Sequence, residues 1–461
     1  MAAIIGKAIP PERQRTLDAL ALREPDRVPV GLWGTIEGYQ NLRRGIGMDY
    51  KTDPKDYRTG STTWTTDVSF ELDLAAKLEL DFVRISAGSP GGSPGFRPIK
   101  FEEVPFDMGI PPPDVEINVD EWGVIRKWTP HEQGGYYEMI GYPLFHATSA
   151  PLEEGLRELA AYPWPDPWDT SVFEDAPIPG MTLREYCKFI REETPFALMG
   201  QGGRGGLFEQ AKYMVGYAKI FSDFIESPDF LDAMLHKLVD IEIDFAKAII
   251  DECGEYFDWI RLSPEDLASE KTAFLSLQMY ERQLIPHYKR CYTEIKKHYL
   301  TKNPNGKLQF HSCGAIPEPF MRGLLDCSVD GYDSLPPKVA RHSNPAAKKR
   351  QLGKEMFFYG GIDVQETLPW GSVEDVRNEV RERIWEVAHG GGYLCSSSHR
   401  LEHDVPIENT LAMIEECKEY GVYPLPEDPP AGADTGEGYE PWTGDRKKRR
   451  KRRPKPEAAE G

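Results

Sequence analysis

The tripeptide His311-Ser312-Cys313 puts an imidazole and a thiol two positions apart, at the end of the apolar run KLQF (307–310). Where a strand ends and its backbone bends, two such side chains can turn toward one ion. Nitrogen with sulfur suits zinc or another borderline-soft cation. Gly314 follows and frees the backbone for that bend. Alone, His-x-Cys is more often a buried thiol beside a hydrogen-bonded imidazole, so the reading rests on what else converges. Further on, GGYLCSSSHRLEHD (391–404) supplies Cys395, His399 and His403 beside a second strand end. Either Cys395 or His399 is placed to be a third donor: strand alternation sends Cys395 to one side, and a loop carries His399 inward. His403 is expected at the surface. Three protein donors with an open fourth position is the catalytic rather than the structural zinc pattern. Glu265, Asp266 and Asp363 are the expected proton carriers, or the carboxylates that ligate the ion or fix a histidine tautomer.

These residues need elements to hold them. Short apolar runs recur along the chain, at 27–33 (RVPVGLW), 81–85, 196–200, 257–262, 307–312, 331–335, 356–361 and 392–397. Between them lie helical stripes, such as Phe230, Met234, Leu238, Ile241 and Phe245, or Val376, Val380, Ile384 and Val387. Eight strands alternating with helices predict an α/β protein, a (β/α)8 TIM barrel, with a doubly wound open sheet as the rival. Barrel chemistry sits at the C-terminal ends of the strands, and polar residues gather there: Trp33, Arg84, Gln201, Glu265, Asp266, His311, Cys313, Asp333, Ser334, Asp363 and His399. Trp33, Arg84, Gln201 and Tyr332 are the expected substrate contacts. The interval between the second and third strands (about 86–195) is long and rich in Pro, Gly and aromatics. It predicts a loop and short-hairpin insertion over one mouth of the barrel, placed as a lid.

GQGGRGG (200–206) contains G-x-G-x-x-G, but it comes third in the series rather than opening a βαβ unit, and no acidic strand end follows at the dinucleotide spacing. A helix N-terminus with Arg204 that accepts an anion, or a tight turn, are the two remaining uses. No G-x-S-x-G elbow and no G-x-x-x-x-G-K-[ST] loop occurs, which removes support for serine hydrolase and P-loop chemistry.

Composition bounds the rest. Of 461 residues 40% are hydrophobic and 28% charged, a globular balance, and no apolar run approaches the ~18 residues of a membrane span. The opening MAAIIGKAIPPERQRTL does not read as a secretory signal. Seven scattered cysteines do not form a disulfide framework in a chain this long, so a cytoplasmic protein with reduced thiols is expected, without a membrane partner. The run RKKRRKRR (446–453) contributes +8 to a net charge of −20, so the rest carries −28. A body that acidic repels nucleic acid. The basic run belongs to a segment, 425–461, rich in Pro, Gly and Glu, which is expected to be a disordered tail; residues 1–424 are expected to be the barrel.

The chain resembles the uroporphyrinogen decarboxylase superfamily, and within it the corrinoid-dependent methyltransferase-like branch. The resemblance runs over residues 11–424, through ERQRTLDALALREPDRVPV, DEWGVIRKW and LAAYPWPDP, and is strongest in FHSCGAI, FFYGGIDVQETLPWGSVEDVRNEV and GGGYLCSSSHRLEHDVPIENTLAMIEE. It implies a (β/α)8 barrel. In the methyltransferase members a His-x-Cys pair and a later cysteine bind zinc; the pair carries over to His311 and Cys313, and the cysteine falls at His399, with Cys395 the nearest actual cysteine. The arginine-bearing motif that decarboxylases place after the first strand is replaced here by GLWGTIEGY. The implied activity is therefore transfer of a methyl group from a small methoxylated or methylated donor to a corrinoid (cobalamin), a demethylation of the donor. No D-x-H-x-x-G stretch is present, so the corrinoid is expected on a partner protein. The alternative is a metal-free decarboxylase acting on a carboxylated ring, with Arg84 or Arg204 on the acid. A non-catalytic barrel whose tail recruits a partner is the third reading, and a homodimer is compatible with the sequence.

Overall fold

Most candidate strands are short and largely apolar, the pattern of a parallel strand covered on its two sides. The computed structural model describes residues 8–49, 68–86, 97–98, 117–131, 134–170, 181–203 and 205–442. Strand β1 (Phe82–Ser86) is followed by four strands of the insertion, β2 (Arg97–Pro98), β3 (Ile117–Val119), β4 (Ile125–His131) and β5 (Gly134–Gly141). Then come β6 (Ala197–Gln201), β7 (Trp259–Pro264), β8 (Lys307–His311), β9 (Gly331–Asp333), β10 (Phe357–Ile362) and β11 (Tyr393–Ser397). The α/β core is one curled parallel sheet of seven strands in the order β1-β6-β7-β8-β9-β10-β11.

The run at 27–33, expected as the first strand, is not a regular strand. It lies between the two edges of the sheet and bonds to both. Gly31 N–H donates to the Cys395 carbonyl (3.1 Å), Cys395 N–H to Pro29 (2.9 Å), and Asp81 N–H to Val30 (2.9 Å). Val30 and Gly34 make isolated parallel bridges to Cys395 and Leu401. Pro29 has no N–H to give a ladder. Gly31 admits the Phe82 ring so closely that a Cβ there would stand 2.2 Å from it.

Alternation divides each strand between two environments. One face looks into the curl of the sheet, where Phe82, Ala197, Met199, Trp259, Phe357, Tyr359 and Leu394 pack with Ala19 and Leu20 of the helix Pro11–Leu20. That helix is fastened by ion pairs of Arg13 with Asp258 and of Arg15 with Asp26 and Asp81. Two residues on along the same face, the apolar layer gives way to Arg84, Gln201, Arg261, Gln309 and Asp333, all buried. The other face, with Val83, Leu198, Ile260, Phe310, Tyr332 and Phe358, packs on the helices. Both predicted helical stripes are buried there, in Pro228–Cys253 and in Val373–Val387, the latter opened by a Ser372–Asp375 capping box.

The interval between β1 and β6 contains a four-stranded antiparallel sheet, β2-β3-β4-β5. It also holds the helices Leu152–Ala161 and Leu183–Glu193. This insertion leans on the helix Phe208–Val215, where Leu144 N–H donates to the Met214 carbonyl (2.9 Å) and Arg126 stacks on Tyr213. Residues 425–442, expected to belong to a disordered tail, carry no helix or strand yet are docked. Asn344 donates to Asp434 (2.6 Å), Trp385 donates to the Glu427 carbonyl, and Trp442 meets the Phe320 ring edge-on. The basic run 446–453 and Arg204 lie outside the described residues. Among the described residues, no helix is long and apolar enough to cross a membrane.

Candidate metal centre

His311 is the last residue of β8, on the inward face, and pairs in register with Asp333 of β9. The chain then turns: Gly314 takes φ +84°, and a Cβ there would stand 2.4 Å from the Ala268 carbonyl. That turn brings the Cys313 Sγ to 3.7 Å from His311 Nε2. The loop after β11 brings in His399, whose ring centroid is 6.0 Å from that of His311. The donor atoms of His311, Cys313 and His399 all lie within 4.8 Å of one another. Cys395 is not among them. Its position on β11 has the opposite parity, and its thiol is buried among outer-face residues beside Cys417.

Asp333 sets the chemistry of the group. One of its oxygens takes His311 Nδ1, and the other accepts from Arg261 Nε (2.9 Å) and Gln309 Nε2 (2.7 Å). Burial alone would raise this carboxyl, but the charges of Arg261 and His311 outweigh it and hold Asp333 well below the usual carboxylate range. An ionised Asp333 draws the proton of His311 to Nδ1 and leaves Nε2 as a lone pair. Burial, then the neighbouring His311 and Arg400, push His399 down to about 3, so it is a neutral imidazole. Burial and Asp266 push the Cys313 thiol up to about 12. A divalent cation held by the two imidazoles would supply the charge a thiolate needs. The donor set, two nitrogens and one sulfur with the histidine fixed from behind, fits zinc.

The other candidates separate. Asp266 is at the centre: its Oδ1 accepts the Cys313 N–H (3.1 Å). Glu265, expected as a proton carrier, instead accepts the N–H groups of Leu207, Phe208 and Glu209 at the start of the helix Phe208–Val215, the site a helix N-terminus offers an anion. Burial pushes it up to about 8. Asp363 likewise accepts the N–H groups of Gln365, Glu366 and Thr367 and pairs with Lys338 (3.0 Å). Neither of them bonds to His311; Asp333 does. Tyr332, expected in the pocket, is on the outer face and donates its hydroxyl to the Ser312 carbonyl (2.6 Å). Gln201 is inward, with Oε1 buried and without a hydrogen-bond partner. Trp33 lies against both histidines, its ring 5.6 Å from His311 and 4.9 Å from His399. Arg84 is beside it, 5.2 Å from the ring centre. A cleft of about 690 Å³, lined by Cys313, His399, Ser334, Lys338, Asp363 and Gln365 among others, opens onto the donor group.

Sequence reasoning did not find the anchoring role of Asp333, nor Arg261 and Arg400. A polar residue two positions beyond an inward apolar one was the available signal: Arg261 follows Trp259 in WIRL, and Asp333 follows Gly331 in GYDSL.

The family profile described as uroporphyrinogen decarboxylase (URO-D) matches residues 166–420. A methylated-thiol–coenzyme M methyltransferase of Methanosarcina mazei is 25% identical over 187 residues, 40% of this chain. The alignment spans 44% of that relative's own length. The solved structure of a methyltransferase from Methanosarcina mazei superposes with a TM-score of 0.56 at 19% identity, covering 89% of this chain and 98% of that one. At that identity the likeness is one of fold. The parallel sheet with its mouth-side donors thus coincides with a profile match over more than half of the sequence, and the chain belongs to the uroporphyrinogen decarboxylase family.

Proposed function

We propose that this protein is a zinc-dependent methyltransferase. It moves a methyl group from a small methoxylated or methylated donor to a corrinoid carried by a partner protein. The segment 28–34, taken as the eighth strand, makes the sheet a (β/α)8 barrel with this chemistry at its C-terminal mouth. The observation that carries the reading is the convergence of His311, Cys313 and His399 on one point beside an open cleft, with Asp333 behind His311. A relative described as a methylated-thiol–coenzyme M methyltransferase supports the reaction class. The seven cysteines, all free thiols, suit a reducing cytoplasm. Zinc bound by these three residues supplies a Lewis acid that stabilises the charge left on the donor's oxygen, nitrogen or sulfur. The donor's heteroatom keeps the electron pair of the broken bond to carbon and takes up a proton. Asp266, through its bond to the Cys313 backbone, steadies the thiolate loop and is the carboxyl nearest this proton traffic. Trp33 packs against both histidines and forms an apolar wall of the site.

Protein purified without a chelating tag is expected to carry close to one zinc per chain. It should methylate added cob(I)alamin from a methyl ether, thioether or methylamine. Cys313→Ala is expected to lose both properties, with zinc affinity down by at least about a hundredfold, since one of its few donors is gone. Metal-free protein that remains active would overturn the reading. The decarboxylase reading has one observation in its favour, a buried Arg84 that no carboxylate neutralises among the described residues; it requires carbon dioxide release by zinc-free protein.

A further inference from the structure

Three guanidinium groups from separate parts of the chain surround one indole. Arg84 of β1, Arg261 of β7 and Arg400 of the loop after β11 place their Cζ atoms 5.2, 4.8 and 6.0 Å from the centre of the Trp33 ring. Arg84 is 8% exposed and Arg261 1%. One carboxylate, Asp333, pairs with Arg261, and it also serves His311. The surrounding polar atoms are incomplete: Arg261 Nη1, Arg400 Nε, Trp33 Nε1 and Gln201 Oε1 are all buried without a hydrogen-bond partner. Desolvated cations left without counter-charge are costly and are retained where something else supplies the charge.

We propose that Arg84, Arg261 and Arg400 form an anion subsite beside the metal centre, which binds a carboxylate on the methyl donor. The donor class is then a methoxylated carboxylic acid with an aromatic ring, rather than a methylamine, whose cation three guanidiniums repel. Arg400 directly follows His399, and Trp33 touches both the imidazoles and the guanidiniums, which sets the subsite beside the donor group. The planar guanidinium fork matches a carboxylate with two parallel hydrogen bonds. This inference rests on the methyltransferase reading for its chemistry but not for its binding, and the test separates the two.

Calorimetric titration of the zinc-loaded full chain with 4-methoxybenzoate, with neutral methoxybenzene and with 4-methoxybenzylamine is the experiment. The benzoate is expected to bind at least about tenfold tighter than methoxybenzene, with the amine weakest. Arg84→Gln and Arg400→Gln should each weaken the benzoate by about ten- to a hundredfold, leaving methoxybenzene affinity and zinc content unchanged. Arg84→Lys should recover part of the loss. Retained zinc shows that the variants fold. Equal affinity for the benzoate and methoxybenzene, or equal weakening of both by the substitutions, would overturn the subsite. Arginine-dependent benzoate binding by a protein that takes up no zinc would leave the subsite standing and overturn the methyltransferase reading.

Discussion

Among the described residues the protein carries two groups of three potential metal donors, each with its atoms within 4.8 Å. His311, Cys313 and His399 sit at the mouth of the sheet. Asp232, His236 and His287 sit on the outer helices Pro228–Cys253 and Ile285–Lys302. By distance alone they are equals. They differ in what stands behind them. In the first group a carboxylate outside the donor set, Asp333, takes Nδ1 of His311 and is itself held by Arg261 and Gln309, so Nε2 is aimed at the Cys313 sulfur, another member of the set. In the second the carboxylate is one of the three, and Asp232 already occupies His287 Nε2 at 3.1 Å. The side chains of Asp232 and His236 are 61% and 56% exposed, free to rotate into water. Proximity does not make a metal centre; orientation held from outside the donor set does.

That contrast can be broken by experiment. Asp333→Asn keeps the shape but removes the charge that fixes His311, and zinc affinity is expected to fall about 10–100-fold, measured by competition with a chromophoric chelator. If Asp232→Asn costs as much, the distinction fails. A subtler difference lies in pH. The folded chain holds the pKa of His399 near 3 against an ordinary 6.5. The unfolded chain therefore takes a proton that the folded one refuses, and metal-free protein should lose stability as pH falls from about 6.5 toward 3, with the full contribution present above 6.5. His399→Gln is expected to flatten that part of a thermal-unfolding profile; an unchanged slope would mean the imidazole is not desolvated as described. The smallest effect is expected of His236→Ala, which should change unfolding free energy by no more than about 0.5 kcal/mol and leave zinc content as it was.

Much of the donor group was legible in advance because it rests on short-range facts. His311, Cys313 and Gly314 are neighbours, and a two-residue period at the end of a strand brings the pair to one side. The choice between Cys395 and His399 turned on parity, since Cys395 falls on the outward phase of β11. What was hidden depends on strand register, which a single sequence does not carry. The pairing of His311 with Asp333 is fixed by how β8 slides against β9, so the anchoring carboxylate was sought in Glu265, Asp266 and Asp363. Asp363 serves the N–H groups of its own turn, Asp266 accepts the Cys313 N–H, and Glu265 serves those at the start of a helix distant in sequence. The irregular first strand traces to Pro29, visible in the sequence but outweighed there by its apolar flanks. The docked segment 425–442 is held by Asp434 and Trp442, two side chains in a stretch whose composition otherwise reads as unfolded.

The helix Pro11–Leu20 pushes Ala19 and Leu20 against Phe82, Trp259, Phe357 and Leu394, corking the end of the sheet away from the metal donors. Among the described residues, a molecule bound for the centre thus meets packed side chains on that side and an open cleft on the other. On the proposed reading, a small donor and a protein-borne acceptor would share that entrance, and the small reactant would have to be seated first.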